Sequence, residues 1–125
     1  MKTTDKPVLQ EFHISGVRHI LPEDAREAHK NSEAILIDVR AQYETSPAQI
    51  EKVIYHPMWE ISNWISELPK EQNIIFFCNK GIRSTHVVNF LLKEGFTNIF
   101  NMDGGISAWK DRKLPYLEFG RLRNP

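Results

Sequence analysis

The chain has 125 residues, 16 basic and 16 acidic side chains, 41% hydrophobic and 26% charged residues, and one cysteine. One domain is expected at this length, and folding should bury roughly two-thirds of the unfolded surface, enough for a core without covalent staples. Zero net charge gives no global pull toward nucleic acid or an acidic membrane, and a single cysteine excludes an internal disulfide or a multi-cysteine zinc site.

In chain order, residues 1–11 are polar, contain Pro7 and are expected to form a flexible N-terminus ahead of a domain over 12–113. Residues 1–15 carry two lysines but no apolar stretch of the kind a signal peptide needs. No later run reaches the 18 or so apolar residues of a membrane span. A reducing, cytoplasmic setting is expected. A short strand is predicted over 17–21. Pro22-Glu23-Asp24 then starts a helix reaching about Asn31, with proline at an early helical position and acids at the positive end of the dipole. The run 34–39 is apolar throughout with Asp38 near its end, the pattern of a parallel strand covered on both faces. Residues 53–55 form another short strand before Pro57. Met58, Ile61, Trp64, Ile65 and Leu68 predict a helix closed by Pro69. Residues 74–78 are a second buried strand ending at Cys78. A helix through Val87, Val88 and Leu91 ends at Gly95 as C-cap. A last strand is placed at 96–100, and a short closing helix follows Gly104-Gly105. The tail, 114–125, sets Tyr116, Leu117 and Phe119 among arginines, and whether it packs on the body or meets a partner is open at this level. Alternating strands and short helices make this an α/β domain built on a mainly parallel five-stranded sheet with helices on both faces.

In such sheets ligands bind beyond the C-terminal strand ends, where Cys78 lies. A lone cysteine at a strand end is most simply a small buried hydrophobe. Here it opens the turn Asn79-Lys80-Gly81-Ile82-Arg83-Ser84 into a helix. The amides of such a turn and the helix N-terminus favour an anion, Lys80 and Arg83 add charge, and Gly81 relaxes the backbone. Surroundings of this kind favour thiolates in general and would hold an anionic substrate.

The loop C-N-K-G-I-R-S resembles the cysteine loop of single-domain rhodaneses, a sulfurtransferase family. Upstream, Asp38-Val39-Arg40 with Glu44 resembles the family's D-V-R-x-x-x-E segment; downstream, Gly95-Phe96-Thr97-Asn98 and Asp103-Gly104-Gly105-Ile106-Ser107-Ala108-Trp109 resemble its closing motifs. The resemblance runs from about Pro22 to Trp109. It implies a ping-pong transfer in which Cys78 takes a sulfane sulfur from thiosulfate or a persulfide and passes it to a thiol or cyanide. Asn79, Lys80, Gly81, Ile82, Arg83 and Ser84 would cradle the persulfide, and Lys80 and Arg83 would orient the donor's anionic end. Asp38, Arg40 and Glu44 would support the site, with Arg40 paired to Glu44. No cofactor, metal, nucleic acid or membrane is implied, and a sulfur-relay protein is a possible partner. The spacing from Cys78 to Arg83 is one residue shorter than the C-x5-R loop of cysteine phosphatases, which suits a single sulfur better than a tetrahedral oxyanion.

One stretch departs from the pattern. Ala48-Gln49-Ile50-Glu51-Lys52 stands where relatives carry G-H-I-P-G, so a different turn is expected there. Having no second cysteine, the chain would need an external acceptor to resolve a persulfide. Two other readings compete with the enzyme: a persulfide-carrying module serving one protein, and a non-catalytic scaffold, which usually lacks the cysteine this chain keeps. His13, His19, His29 and His56 show no ligand spacing. His86 either flanks the site or is a packing or solvated residue. Trp109 reads as closing packing, and Trp59 and Trp64 share one amphipathic segment.

Overall fold

A computed structural model describes residues 1–125. The main sheet takes β1 (His19–Ile20), β2 (Ala34–Asp38), β3 (Ile54–Tyr55), β4 (Asn73–Phe77) and β5 (Ile99–Met102) in the order β1-β5-β4-β2-β3. Every pairing is parallel, with β2 in register against β4 from Ala34↔Asn73 to Asp38↔Phe77. The apolar runs explain this. Successive side chains alternate between faces, so a continuous apolar strand must be covered on both. Ile37, Ile74 and Phe76 face the layer holding α4 (Ile82–Lys93) and the segment around Trp64; Leu36, Ile75 and Phe77 face α1 (Pro22–Lys30) and α5 (Gly105–Asp111). No helix is long and apolar enough to cross a membrane.

Three segments differ from expectation. Residues 58–68 do not wind as one helix. A 3₁₀ turn (Met58–Glu60), the one-turn α3 (Ile61–Trp64) and a second 3₁₀ turn (Ile65–Glu67) follow one another, the single α turn between β2 and β3 being α2 (Gln42–Thr45). The apolar spacing 58, 61, 64 and 65, 68 repeats every three residues, the period of a 3₁₀ winding. The Trp64 indole N–H donates to the Pro57 carbonyl at 2.8 Å and ties the segment to its own start. Phe96 lies outside β5 because it completes the cap of α4. Gly95, at φ +96°, donates to Leu92 O and Phe96 N donates to Leu91 O, the paired bonds of a Schellman ending.

The N-terminal segment, expected to be free, is bound to the body. Thr4 and His19 exchange backbone hydrogen bonds at 2.9 Å, and the amides of Val8, Leu9 and Gln10 donate to the buried Asp103 carboxylate at 2.7–3.2 Å. A buried carboxylate requires such donors, and no nearer cation supplies them. The C-terminal residues form an antiparallel hairpin, β6 (Tyr116–Glu118) and β7 (Arg121–Arg123), turned by Phe119 and Gly120, both at positive φ. Leu117 exchanges backbone bonds with Gln49, and Phe119 N donates to Ser46 O at 2.7 Å. The hairpin thus lies on the turn that departs from the family pattern, where Lys52 keeps a left-handed φ of +61° without being glycine.

Candidate active site

Cys78 follows the last residue of β4 and is 1% exposed. Its Sγ accepts the Gly81 amide at 3.1 Å and the Ser84 amide at 3.4 Å, and Ser84 Oγ lies 3.3 Å away. Two glycines make the loop possible. Gly81, the N-cap of α4, sits at φ +92°, and a Cβ there would fall 1.8 Å from Gln10 Oε1. Gly105 sits at φ +61°, and a Cβ there would stand 2.5–2.6 Å from backbone atoms of Cys78 and Asn79. That closeness lets the Ile106 and Ser107 amides at the start of α5 bind the Cys78 and Asn79 carbonyls at 2.9 Å each. The Cys78 and Asn79 carbonyls are committed to α5, while the amides of Gly81 and Ser84 serve the sulfur.

The acidic and basic partners differ from the implied ones. Arg40 does not pair with the Glu44 carboxylate. Its guanidinium is buried against Asp38 at 2.9–3.2 Å and donates to the main-chain oxygens of Glu44 (3.0 Å) and Ala48 (2.6 Å). The short Asp38-Val39-Arg40 step at the end of β2 turns both side chains into the same buried space, leaving Glu44 free. Glu44 instead forms a two-bond pair with Arg83, at 2.6 and 2.8 Å, and caps the amide of Ala41 at 3.0 Å. The Arg83 hydrogen bonds hold the Glu44 carboxyl below the usual carboxylate range, and Glu44 in turn holds Arg83 firmly charged. The positive charge expected beside Cys78 is therefore largely neutralised at Arg83. Lys80 forms no ion pair and borders a concavity of about 560 Å³ with Leu9, Phe12, Ile82 and Ser107. A larger hollow, about 670 Å³, opens by Arg26, His29 and Trp109, and no residue of the cysteine loop lines it.

Asp38, Arg40 and Ser84 are buried; Ile82 is half exposed. His86 is solvent-facing with its ring 5.0 Å from Phe12. Trp59 is exposed, while Trp64 stacks on His56 at 4.9 Å and Trp109 is buried. Three polar residues beside the site carry little sequence signal. Asn101, fully buried on β5, accepts from Ser84 Oγ at 2.5 Å, and Gln10 and His19 bond to it from the N-terminal region. A polar residue within a strand otherwise apolar is the one hint the chain offered.

A family model for the rhodanese-like domain matches residues 21–112. The chain is similar to a sulfurtransferase of Allochromatium vinosum, 31% identical over 85 residues, covering 68% of this chain and 79% of that protein. It is also similar to the thiosulfate sulfurtransferase GlpE of Glaesserella parasuis, 25% identical over 101 residues, covering 81% and 93%. The crystal structure of a rhodanese-related protein from Thermoplasma volcanium matches with a TM-score of 0.73 at 28% identity, covering 79% of this chain and 96% of that one. The chain is also similar to a tRNA uridine(34) hydroxylase of Staphylococcus carnosus, 29% identical over 98 residues, covering 74% of this chain and 31% of that protein.

Proposed function

This chain belongs to the rhodanese-like domain family, and we propose that it is a sulfurtransferase whose nucleophile is Cys78, working in a reducing compartment such as the cytoplasm. The observation that carries this reading is the sulfur held by the Gly81 and Ser84 amides at the start of α4. The Cys78 thiolate attacks the outer sulfur of thiosulfate or a persulfide. A new S–S bond forms, the donor's S–S bond breaks, and sulfite or the donor thiolate leaves with the electron pair. Cys78 then bears a persulfide whose outer sulfur carries the negative charge. A thiolate or cyanide attacks that sulfur, and the pair of the broken bond returns to Cys78 Sγ. Amides fixed in advance are suited to this because they need no reorganisation as charge moves between the two sulfurs. With Arg83 engaged by Glu44, the donor's anionic end is oriented chiefly by loop amides, the α4 terminus and Lys80.

Incubation with thiosulfate should add one sulfur atom to the intact mass, and cyanide should remove it as thiocyanate. Cys78→Ser should reduce both signals to background while retaining the far-ultraviolet circular dichroism of the parent. No adduct on a folded, reduced protein would overturn the reading. The carrier role draws support from Tyr43, 83% exposed on the α2 turn that supplies Glu44, a surface aromatic beside the site. Slow thiosulfate turnover together with rapid transfer from a protein persulfide would favour that role over a free-standing enzyme.

A further inference from the structure

We propose that Gln10, acting through Asn101, fixes the direction of the Ser84 hydroxyl so that it meets Cys78 Sγ as an acceptor, making Gln10 and Asn101 positioning residues for the sulfur. The inference rests on the reading of Cys78 as the nucleophile.

The directions follow from backbone groups whose roles cannot reverse. Gln10 Oε1 receives the Gly104 amide at 2.8 Å, so this end of the side chain is the oxygen. Its nitrogen then donates to the Phe12 and Gly81 carbonyls at 2.9 and 3.2 Å. The opposite orientation would set oxygen against two carbonyls and NH₂ against an amide N–H. Asn101 must therefore offer its nitrogen to Gln10 Oε1, at 3.1 Å, and that same nitrogen faces His19 Nδ1 at 3.1 Å. Asn101 Oδ1 is left for Ser84 Oγ at 2.5 Å, and it can only accept. The single serine proton is thereby committed, and the serine lone pairs face Sγ at 3.3 Å. At the far end His19 Nδ1 accepts, so its proton is on Nε2, 3.0 Å from His13 Nδ1. Burial holds His19 neutral, with its pKa lowered to about 4, which agrees with this chain of donors.

The consequence concerns the resting and loaded forms. A Cys78 thiol can donate its S–H to Ser84 Oγ. A thiolate keeps the Gly81 and Ser84 amides but meets an oxygen lone pair at the hydroxyl. Once a sulfur is loaded, the charge sits on the outer atom and Sγ no longer opposes that lone pair. The network therefore favours the loaded form over the bare thiolate. The charged or titratable groups coupled to it are Arg83, with Glu44, on the Cys78 side, and Asp103 and His13 on the His19 side. None of them is altered in the variants below. Gln10 and His19 both precede the region matched by the family model.

Two measurements test this, and neither uses sulfur transfer, so either can fail while the thiosulfate assay succeeds. Long-range ¹⁵N–¹H correlation on the unaltered protein at pH 7.5 should show His19 protonated at Nε2 and bare at Nδ1. A proton on Nδ1 overturns the proposal. The pH midpoint for alkylation of Cys78 by iodoacetamide is the second readout. Asn101→Ala frees the Ser84 proton for the thiolate and should lower the midpoint by about one pH unit, a tenfold gain in rate below it. The same substitution on a Ser84→Ala background should move nothing. Gln10→Met, in the peripheral N-terminal segment, should shift the midpoint in the same direction and replaces Asn101→Ala if that variant does not fold. An unchanged or raised midpoint in the folded variant, or an equal shift without Ser84, overturns the proposal.

Discussion

Arg83 carries a full charge at the second residue of α4, yet its two hydrogen bonds to Glu44 make it a structural cation first. The carboxyl of Glu44 titrates below its ordinary range, so the stabilisation it contributes is complete above the unfolded value of 4.5 and is lost as pH falls through its lower folded value. The pair therefore outlasts ordinary surface carboxylates on acidification. Glu44→Gln should cost about 1 kcal/mol of stability, as expected for a partly exposed pair. It should also lower the KM for thiosulfate about two- to fivefold, because the freed guanidinium can then meet an anion. Steady-state kinetics at low ionic strength would check this, and a raised KM would assign Arg83 a purely structural role. Arg40 behaves differently. Buried against Asp38 and bound to two carbonyls, it anchors the loop after β2 rather than facing a ligand.

Among the elements, α5 does most to shape the site without touching the sulfur. Its first amides bind the Cys78 and Asn79 carbonyls, and only glycine at position 105 permits the approach. Gly105→Ala places a methyl against backbone that cannot rotate away and forces a residue with a Cβ to φ +61°. A loss of about 2 kcal/mol or more in urea unfolding is expected, with a larger proportional loss of sulfur loading per folded molecule. Equal loading by the folded variant would separate α5 from the geometry of the loop. The local signals at this scale were strong where they were short-range. Pro22 with Glu23 and Asp24 opened α1, and Gly95 closed α4 where expected. They fail at residues 58–68, where the apolar period is three residues rather than 3.6, and at β5, where Phe96 serves a cap and Asn101 interrupts the apolar run.

For the molecule as a whole, the segments outside the matched region are part of the structure. The N-terminal residues satisfy Asp103 and reach the cysteine loop through Gln10, while the C-terminal hairpin lies on residues 46–49. Stability should register the N-terminal side of this assembly through His19, whose pKa falls from 6.5 to about 4, mainly by burial. A neutral histidine that takes its proton late in the folded state leaves stability complete above pH 6.5. Below that the unfolded chain binds a proton the folded chain does not, and stability declines toward pH 4. The full shift corresponds to at most about 3 kcal/mol. Urea unfolding from pH 7.5 to 4.5 should show this decline, and His19→Gln should flatten it. An unchanged slope would mean that another group governs the window.

By itself the sequence determined the α/β architecture, the position of the cysteine loop and the family resemblance. Each of these is encoded in short runs: apolar strands, a proline or glycine at a helix end, a turn into a helix. Tertiary structure alone decided that Arg40 meets Asp38, that Glu44 meets Arg83, and that Gln10 reaches Asn101 from 91 residues away. Hydrophobic periodicity states which side chains leave water, but it does not say which polar partner a buried group finds. That choice follows from the register of β2, β4 and β5 and from the path of the N-terminal segment across their ends, where every buried donor and acceptor has to be matched.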